Sequence, residues 1–445
     1  MSHLSTISYK RIWQIALPII LGSVAQNLIT LADTIFLGNV GEVELGAAAI
    51  ASIFYQTLVM LMFGFGIGTQ ITIAKRLGEK KGKTIGSVFQ HSVVFMILSS
   101  VIIWSLYQLF GHYFLDTFVK TPSINAAAQA FLDVRVYGYL FAFISLSFNA
   151  FYVGTARTKT ITIATVAMGA VNIVLDYIFI FGKLGCPAMG MSGAALASVI
   201  AEAVGVGVYI LYSINAVNIV RFRLYKRIRF HFSLFKRLLT LSYPIMFQYF
   251  ISFGNFFIFF LLVESMGERA LAISNVTRSI YVIFMLPIWG FTATTSSLTA
   301  YFIGSKQQFE IPRLAWKCTQ LMFLSVGLIC AVFLLCHSAI LNLFTNIPAL
   351  AQQSFAPTLV VLVACFIMGS AQIYFHVIMG CGKTKIGFGI EVITLLSYLA
   401  YMYWATQIAH LSIALVWTSE WVYVSILLLL SILYLRKIQF GKNIA

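Results

Sequence analysis

Apolar residues fill long unbroken stretches of this chain, and polar residues gather in short clusters between them. Twelve stretches stand out, at residues 12–37, 45–73, 88–111, 126–152, 160–182, 191–214, 237–263, 271–302, 314–340, 350–380, 387–409 and 411–435. Each is long enough to supply the ~20 apolar residues with which a helix crosses the hydrocarbon core of a bilayer. A β-barrel would alternate apolar and polar positions over short strands, and these runs are too long and too uniformly apolar for that. The pattern predicts an all-α polytopic membrane protein with twelve transmembrane helices.

The pattern also repeats. A shift of 226 residues brings Pro18 onto Pro244, Pro122 onto Pro348, Gly41-Glu42 onto Gly267-Glu268, Gly64 onto Gly290 and Gly78 onto Gly304. The same shift pairs Lys80 with Lys306, Gly154 with Gly380 and Thr158-Lys159 with Thr384-Lys385. Coincident apolar residues would follow from composition, whereas coincident prolines, glycines and loop charges would not. The repeat predicts two pseudo-symmetric six-helix lobes of one orientation, related by an axis along the membrane normal. The N-terminal lobe is expected at 1–218, a basic cytoplasmic linker at 219–236 and the C-terminal lobe at 237–445. Two such lobes build a cleft, and rocking one against the other gives alternating access, so the duplication points to a secondary transporter. No G-x-x-x-x-G-K-[ST] phosphate loop is present, and the chain itself does not drive transport by hydrolysis. Pro18, Pro244 and Pro287 fall inside the expected spans, where proline can kink a helix.

Charge then sets the expected topology. Only 9% of the 445 residues are charged, against 60% hydrophobic. The formal net charge of +16 would suggest a nucleic-acid partner in a soluble protein. Here 24 of the 29 Lys and Arg fall in the N-terminus, the C-terminus and the loops after even-numbered spans. Basic loops stay cytoplasmic, which places both termini inside a plasma (inner) membrane. The run from Arg221 to Arg237 is expected to meet anionic lipid headgroups, with no nucleic-acid-binding domain beside it. Residues 1–10 are polar and carry no cleavable signal, leaving the first span as the insertion signal. The six cysteines form no CxxC motif and read as small apolar residues. Neither H-E-x-x-H nor G-x-S-x-G occurs, so no enzyme and no cofactor is expected.

Of the thirteen acids, seven fall in or near loops. Asp33, Asp133, Asp176, Glu202, Glu391 and Glu420 remain within or at the ends of spans. An ionised carboxylate in lipid costs ~3 kcal/mol or more, so such a residue faces a protein cavity and handles protons, cations or substrate. Asp33 and Asp176 lie ~32 and ~24 Å along spans 1 and 5, which run the same way, so the two can meet in the first lobe. Gln26 precedes Asp33 by two turns on one face, and Asn172 precedes Asp176 by one turn. With Ser198 adding a hydroxyl from span 6, these groups can cage a proton or a Na+ ion. At the 226-residue spacing Asp33 matches Phe259, Asp176 matches Met402 and Asn172 matches Tyr398. The scaffold is duplicated and the acids are not, which favours function over structural need. Glu202, Glu391 and Glu420 either line a substrate cleft or pair with Arg278 or polar backbone. The 39 Phe and 21 Tyr suit a cleft for small amphipathic organic cations, and equally suit lipid-facing and interfacial positions.

Several segments together carry a family resemblance. They are Ala16-Leu-Pro-Ile19, Ala32-Asp-Thr34 with Gly38, and Gly66-Ile-Gly-Thr-Gln-Ile-Thr-Ile-Ala74 with Gly78. Gly154-Thr-Ala-Arg-Thr-Lys159, Asn172-x-x-x-Asp176 and Gly193-Ala-Ala-Leu-Ala-Ser198 complete the set. With these the chain resembles the multidrug and toxic compound extrusion (MATE) transporters over nearly its whole length. The resemblance implies an outward- or inward-open V of two six-helix lobes and antiport of organic compounds against H+ or Na+; a monomer is expected. It implies a first-lobe cation site at Asp33, Asn172 and Asp176, able to take Na+, with Gln26 and Ser198 in support. Asn149 matches a further polar position of related proteins. The NorM-type branch carries an acid in span 7 where this chain has Ser252, and an Asp in span 10 where it has Gly369-Ser-Ala-Gln372. The chain therefore looks closer to the DinF-like branch. A lipid-linked oligosaccharide flippase of the same superfamily would line its cleft with Arg and Lys, which here sit mostly in loops. A major-facilitator carrier would show a different motif from Ala74-Lys-Arg-Leu-Gly-Glu-Lys-Lys-Gly82 after span 2.

Overall fold

Hydrocarbon offers a peptide group no partner, and an apolar run that must satisfy every N–H and C=O within itself folds as a helix. In the computed structural model, which describes residues 7–215, 222–225, 230–345 and 347–438, the long apolar runs are all helical. The helices are α1 (Tyr9–Gly38), α2 (Glu42–Gly78), α3 (Gly82–Phe118), α4 (Pro122–Arg135), α5 (Gly138–Gly154), α6 (Lys159–Phe181) and α7 (Gly190–Asn215). They continue with α8 (Phe232–Glu264), α9 (Glu268–Gly304), α10 (Ile311–Phe344), α11 (Pro348–Gly380), α12 (Thr384–Tyr403), α13 (Ile413–Val416) and α14 (Ser419–Lys437). Among the described residues eleven helices are long and apolar enough to cross a membrane. There are twelve if α4 and α5, bent by 53° where they meet, count as one span.

The 226-residue repeat is visible in the backbone itself. Both ends of α2 and α9 correspond, from Glu42 and Glu268 to Gly78 and Gly304. Proline opens α4 and α11, where its missing N–H would have had no helical partner. The turns after α2 and α9 each place a lysine in the left-handed region, Lys80 at φ 59° and Lys306 at φ 61°. One departure is plain. The first repeat breaks between Arg135 and Gly138, whereas α11 runs unbroken from Pro348 to Gly380. Pro18, Pro244 and Pro287 lie inside α1, α8 and α9 as expected, and Pro357 lies inside α11.

The chain divides into two compact units, Leu21–Met246 and Met1–Ile20 with Phe247–Ala445. The divisions fall within α1 and α8 rather than in the linker, and Ile20 and Met246 are themselves equivalent at the repeat spacing. In the unit Leu21–Met246, α2 packs on α3, α4 and α5, and α7 packs on α4, α5 and α6. In the other unit α11 is central, packing on α9, α10, α12 and α14. Of the linker and its basic run, residues 219–221 and 226–229 lie outside the described residues. Phe222 and Leu224 are buried, Gln90 Nε2 donates to Leu224 O at 2.8 Å, and His231 N donates to His91 Nε2 at 2.8 Å. The described part of the linker is thus tied to the N-terminal third of α3.

Candidate functional site

Side chains of α1 and α6 meet opposite two glycines. A Cβ on Gly22 would stand 3.6 Å from Ile161 Cγ2, and one on Gly169 would stand 3.0 Å from Ile29 Cγ1. These contacts advance together along both chains, so the helices run parallel and the next turns carry Asp33 and Asp176. The two carboxyl groups come within hydrogen-bonding reach of one another. Asp176 and Asn172 are fully buried, and Asp33 is half-buried.

The donors and acceptors of this cluster do not balance. Asp33 Oδ1, both oxygens of Asp176 and both polar atoms of Asn172 are buried without a hydrogen-bond partner. Two carboxylates offer acceptors only, so they cannot bond to each other unless a proton stands between them. Each orphaned buried polar group costs ~1–3 kcal/mol, and native structures keep such groups where an ion or a reaction needs them. Negative oxygens side by side and away from water also repel. A shared proton, or a small monovalent cation held by oxygens of Asp33, Asp176 and Asn172, relieves both penalties. The residues fit that occupant.

The remaining expected residues are placed unevenly. A Cβ on Gly193 would stand 2.7 Å from Phe179 O, and one on Gly205 3.6 Å from Met168 Sδ. These contacts bracket Ser198 on α7 and set it at the level of Asn172 and Asp176. Gln26 is exposed and makes no hydrogen bond with either acid. Asn149 donates to Ser145 O at 3.3 Å and bonds the Tyr209 hydroxyl. Tyr209 lies eleven residues beyond Ser198 on α7, ~16 Å along the axis, so Asn149 belongs to another level.

None of the three glutamates pairs with Arg278, which lies over the Phe260 ring at 5.2 Å. Glu202 forms a two-bond ion pair with Arg135, at 3.0 and 2.5 Å, and also accepts from Tyr55 at 3.4 Å. Glu391 Oε1 accepts from Ser252 and from Tyr423, each at 2.8 Å, while its Oε2 is buried without a partner. Glu420 accepts from Tyr281 at 3.0 Å and Tyr398 at 3.4 Å. Sequence reasoning missed the Arg135–Glu202 pair because i,i+2 spacing separates Arg135 from Asp133 and no partner lies nearby in the chain. The available signal was a basic residue inside an expected span and away from the basic loops. Asp133 instead accepts from Tyr107 at 2.9 Å and meets His112 at 2.8 Å.

Comparison with known proteins finds the same internal repeat. The MatE family model matches residues 18–178 and 244–404, two segments offset by the same 226 residues. A probable multidrug resistance protein NorM of Thermotoga maritima is 25% identical over 381 residues, covering 84% of this chain and 80% of that protein. A protein of the same name from Neisseria meningitidis serogroup B is 24% identical, covering 91% of this chain and 92% of the relative. Among solved structures, an outward-facing multidrug resistance MATE family transporter superposes with a TM-score of 0.90 at 19% identity, covering 99% of this chain and 98% of that one. A MOP superfamily transporter from Pyrococcus furiosus superposes with a TM-score of 0.86 at 19% identity, covering 99% and 98%. At these identities the superpositions establish the fold, an all-helical two-lobe transporter architecture with eleven to twelve membrane spans.

Proposed function

The chain belongs to the MatE family of multidrug efflux transporters, and we propose that it is a secondary active exporter of small amphipathic organic cations, coupled to inward movement of H+ or Na+ at Asp33 and Asp176. It is a multi-pass membrane transporter and not an enzyme. The observation that carries the coupling proposal is the juxtaposed acid pair, whose oxygens and those of Asn172 are buried without partners. The proposed setting is the inner membrane with both termini cytoplasmic, supported by the basic loops, whose charge also suits anionic headgroups.

Coupling needs a difference in binding. A cation that bound two conformations equally would shift neither, however tightly it bound. The pair joins α1 to α6, so neutralising it changes the force between those two helices. Pro18 gives α1 a place to bend in response. In the proposed cycle, cation capture favours one arrangement of the two lobes and substrate leaves outward. Relatives named NorM share the family, while Ser252 and Gly369-Ser-Ala-Gln372 stand where that branch carries acids. That pattern supports coupling in the first unit, the arrangement expected of the DinF-like branch.

The test is export of ethidium from proteoliposomes under separately imposed pH and Na+ gradients. Asp33→Asn is expected to abolish gradient-driven export while the protein still unfolds cooperatively at the native temperature. Export by this variant at the native rate overturns the assignment.

A further inference from the structure

Arg135 ends α4 and Gly138 begins α5, so the 53° bend falls at a largely buried cation. The Arg135 guanidinium meets both carboxylate oxygens of Glu202 on α7, and the two side chains are only 12% and 16% exposed. It also lies 3.8 Å from the centroid of the Tyr55 ring on α2, and that ring stacks on Tyr139 of α5 at 4.4 Å. Four helices therefore converge on one guanidinium. A Cβ at position 138 would collide with Arg135 Nη1 and stand 2.8 Å from Glu202 Oε2, so glycine is what makes room for the pair.

The pair has no counterpart in the other repeat. Arg135 corresponds to Val361 and Gly138 to Ala364, and α11 runs straight through both. Tyr281, the equivalent of Tyr55, is kept and donates to Glu420, whose hydrogen bonds come from tyrosines and not from a basic group. The repeat that has the acid pair has the arginine, and the repeat that lacks one lacks the other. Glu202 stands one turn beyond Ser198 on α7, between the Gly193–Phe179 and Gly205–Met168 contacts that set the register against α6, so the Arg135–Glu202 pair sits near the level of Asn172 in the same unit as the acid pair.

We propose that Arg135, held by Glu202 at the α4–α5 break, is a positioning residue whose fixed charge sets how tightly the Asp33–Asp176 pair holds its cation. The inference rests on reading that pair as the coupling site. A carrier must let go of its ion as well as capture it, and conduction sites elsewhere obey the same compromise. Two carboxylates and an amide away from water bind a cation strongly, and a nearby guanidinium opposes it. Glu202 keeps that guanidinium off Asp33, where it would otherwise act as an internal cation and close the site. Breaking a buried ion pair by removing one partner leaves the other charge uncompensated, and its field then reaches the acid pair undiminished. Among the described residues, the charged and titratable groups that bear on the site are Asp33, Asp176, Arg135, Glu202, Tyr55 and Tyr139.

The two single variants should therefore move in opposite directions. The full chain is purified into nanodiscs, and Na+ binding is titrated by calorimetry at fixed pH. A parallel arm follows proton uptake by pH titration without sodium, so the arms separate the two ions. Arg135→Gln is expected to bind the cation roughly three- to tenfold tighter and Glu202→Gln more weakly by a similar factor. The double variant R135Q/E202Q should return close to the native value, and Arg135→Lys should stay nearer native than Arg135→Gln. Should Arg135→Gln not fold, E202Q against R135Q/E202Q isolates the same charge, and E202Q must bind more weakly. Shifts of one sign in both single variants, or no shift while Asp33→Asn abolishes binding, overturn the inference and leave the coupling site standing. Native binding by Asp33→Asn overturns both.

Discussion

Asp33 and Phe259 hold the same register in the two repeats, yet their surroundings share almost no chemistry. Around Asp33 lie a second carboxyl, an amide without partners and a salt-bridged arginine. Around Phe259 the space is filled: the Trp417 ring packs edge-on at 4.7 Å, and Met402, the equivalent of Asp176, is fully buried. The buried acids of the second unit are elsewhere, Glu391 on α12 and Glu420 on α14, held by Ser252 and three tyrosine hydroxyls with only Glu391 Oε2 left over. Backbone-defining features survived duplication because packing and turn geometry tolerate few alternatives. The polar interiors of the two repeats differ, and the first unit holds the paired oxygens that call for a positive charge.

The strongest way to break this contrast is to neutralise one acid in each unit. Asp176→Asn removes charge from a site with nothing else to balance it, and ~3 kcal/mol of lost cation binding means a fall in coupled export on the order of a hundredfold. Glu391→Gln keeps a carbonyl oxygen to accept from Ser252 and Tyr423, and its export is expected within about threefold of native. Initial rates in proteoliposomes decide the matter. Equal losses in the two variants would mean that coupling is shared between units.

A sharper comparison, smaller in effect, uses the matched glycines of α2 and α9. A Cβ on Gly64 would stand 2.5 Å from Met246 Cα and 2.6 Å from its N, so it meets backbone that cannot swing away. On Gly290 the equivalent atom meets the Ile20 side chain first, with Ala16 O at 3.2 Å. A side chain can change rotamer. Gly64→Ala is expected to cost about 3 kcal/mol or more and Gly290→Ala about 1 kcal/mol, read as thermal unfolding in detergent. Equal costs would show that the two close approaches are equally yielding.

The sequence made the fold legible because its determinants are local. Apolar run length defines a span, and proline, glycine and loop lysines mark where each span starts and stops, at Pro122, Gly78 and Lys80 as at Pro348, Gly304 and Lys306. The meeting of Asp33 and Asp176 was legible from depth and helix direction alone. The helix break after Arg135 was not, since the 126–152 run reads as one span and the partner of Arg135, a glutamate on α7, lies 67 residues on. Nor did one-dimensional spacing separate Asn149, which shares a polar character with Asn172 but bonds at the level of Tyr209. Long-range pairing decided each of these positions.

The turns after α2 and α9 give the mildest contrast. In the first, Glu79 Oε2 lies 3.0 Å from Arg76 Nη1 and 3.1 Å from Lys81 Nζ. In the second, the equivalent residue is Ser305, whose hydroxyl donates to Gln307 Oε1 at 3.3 Å. Both turns pass through the same left-handed lysine, so backbone geometry does not depend on the ion pairs. Burial alone would raise the Glu79 carboxyl, but the bond from Lys81 and the charges of Arg76 and Lys81 outweigh it and hold the pKa below its ordinary value. A carboxyl depressed on folding adds stability above its unfolded pKa, and that stability is lost as pH falls through the folded value. Glu79→Ser, borrowing the other turn's residue, is therefore expected to cost less than ~1 kcal/mol at neutral pH and less still in high salt. The difference from native should vanish in acid. A cost that persists below the carboxylate range would assign the stabilisation to packing of the side chain rather than to its charge.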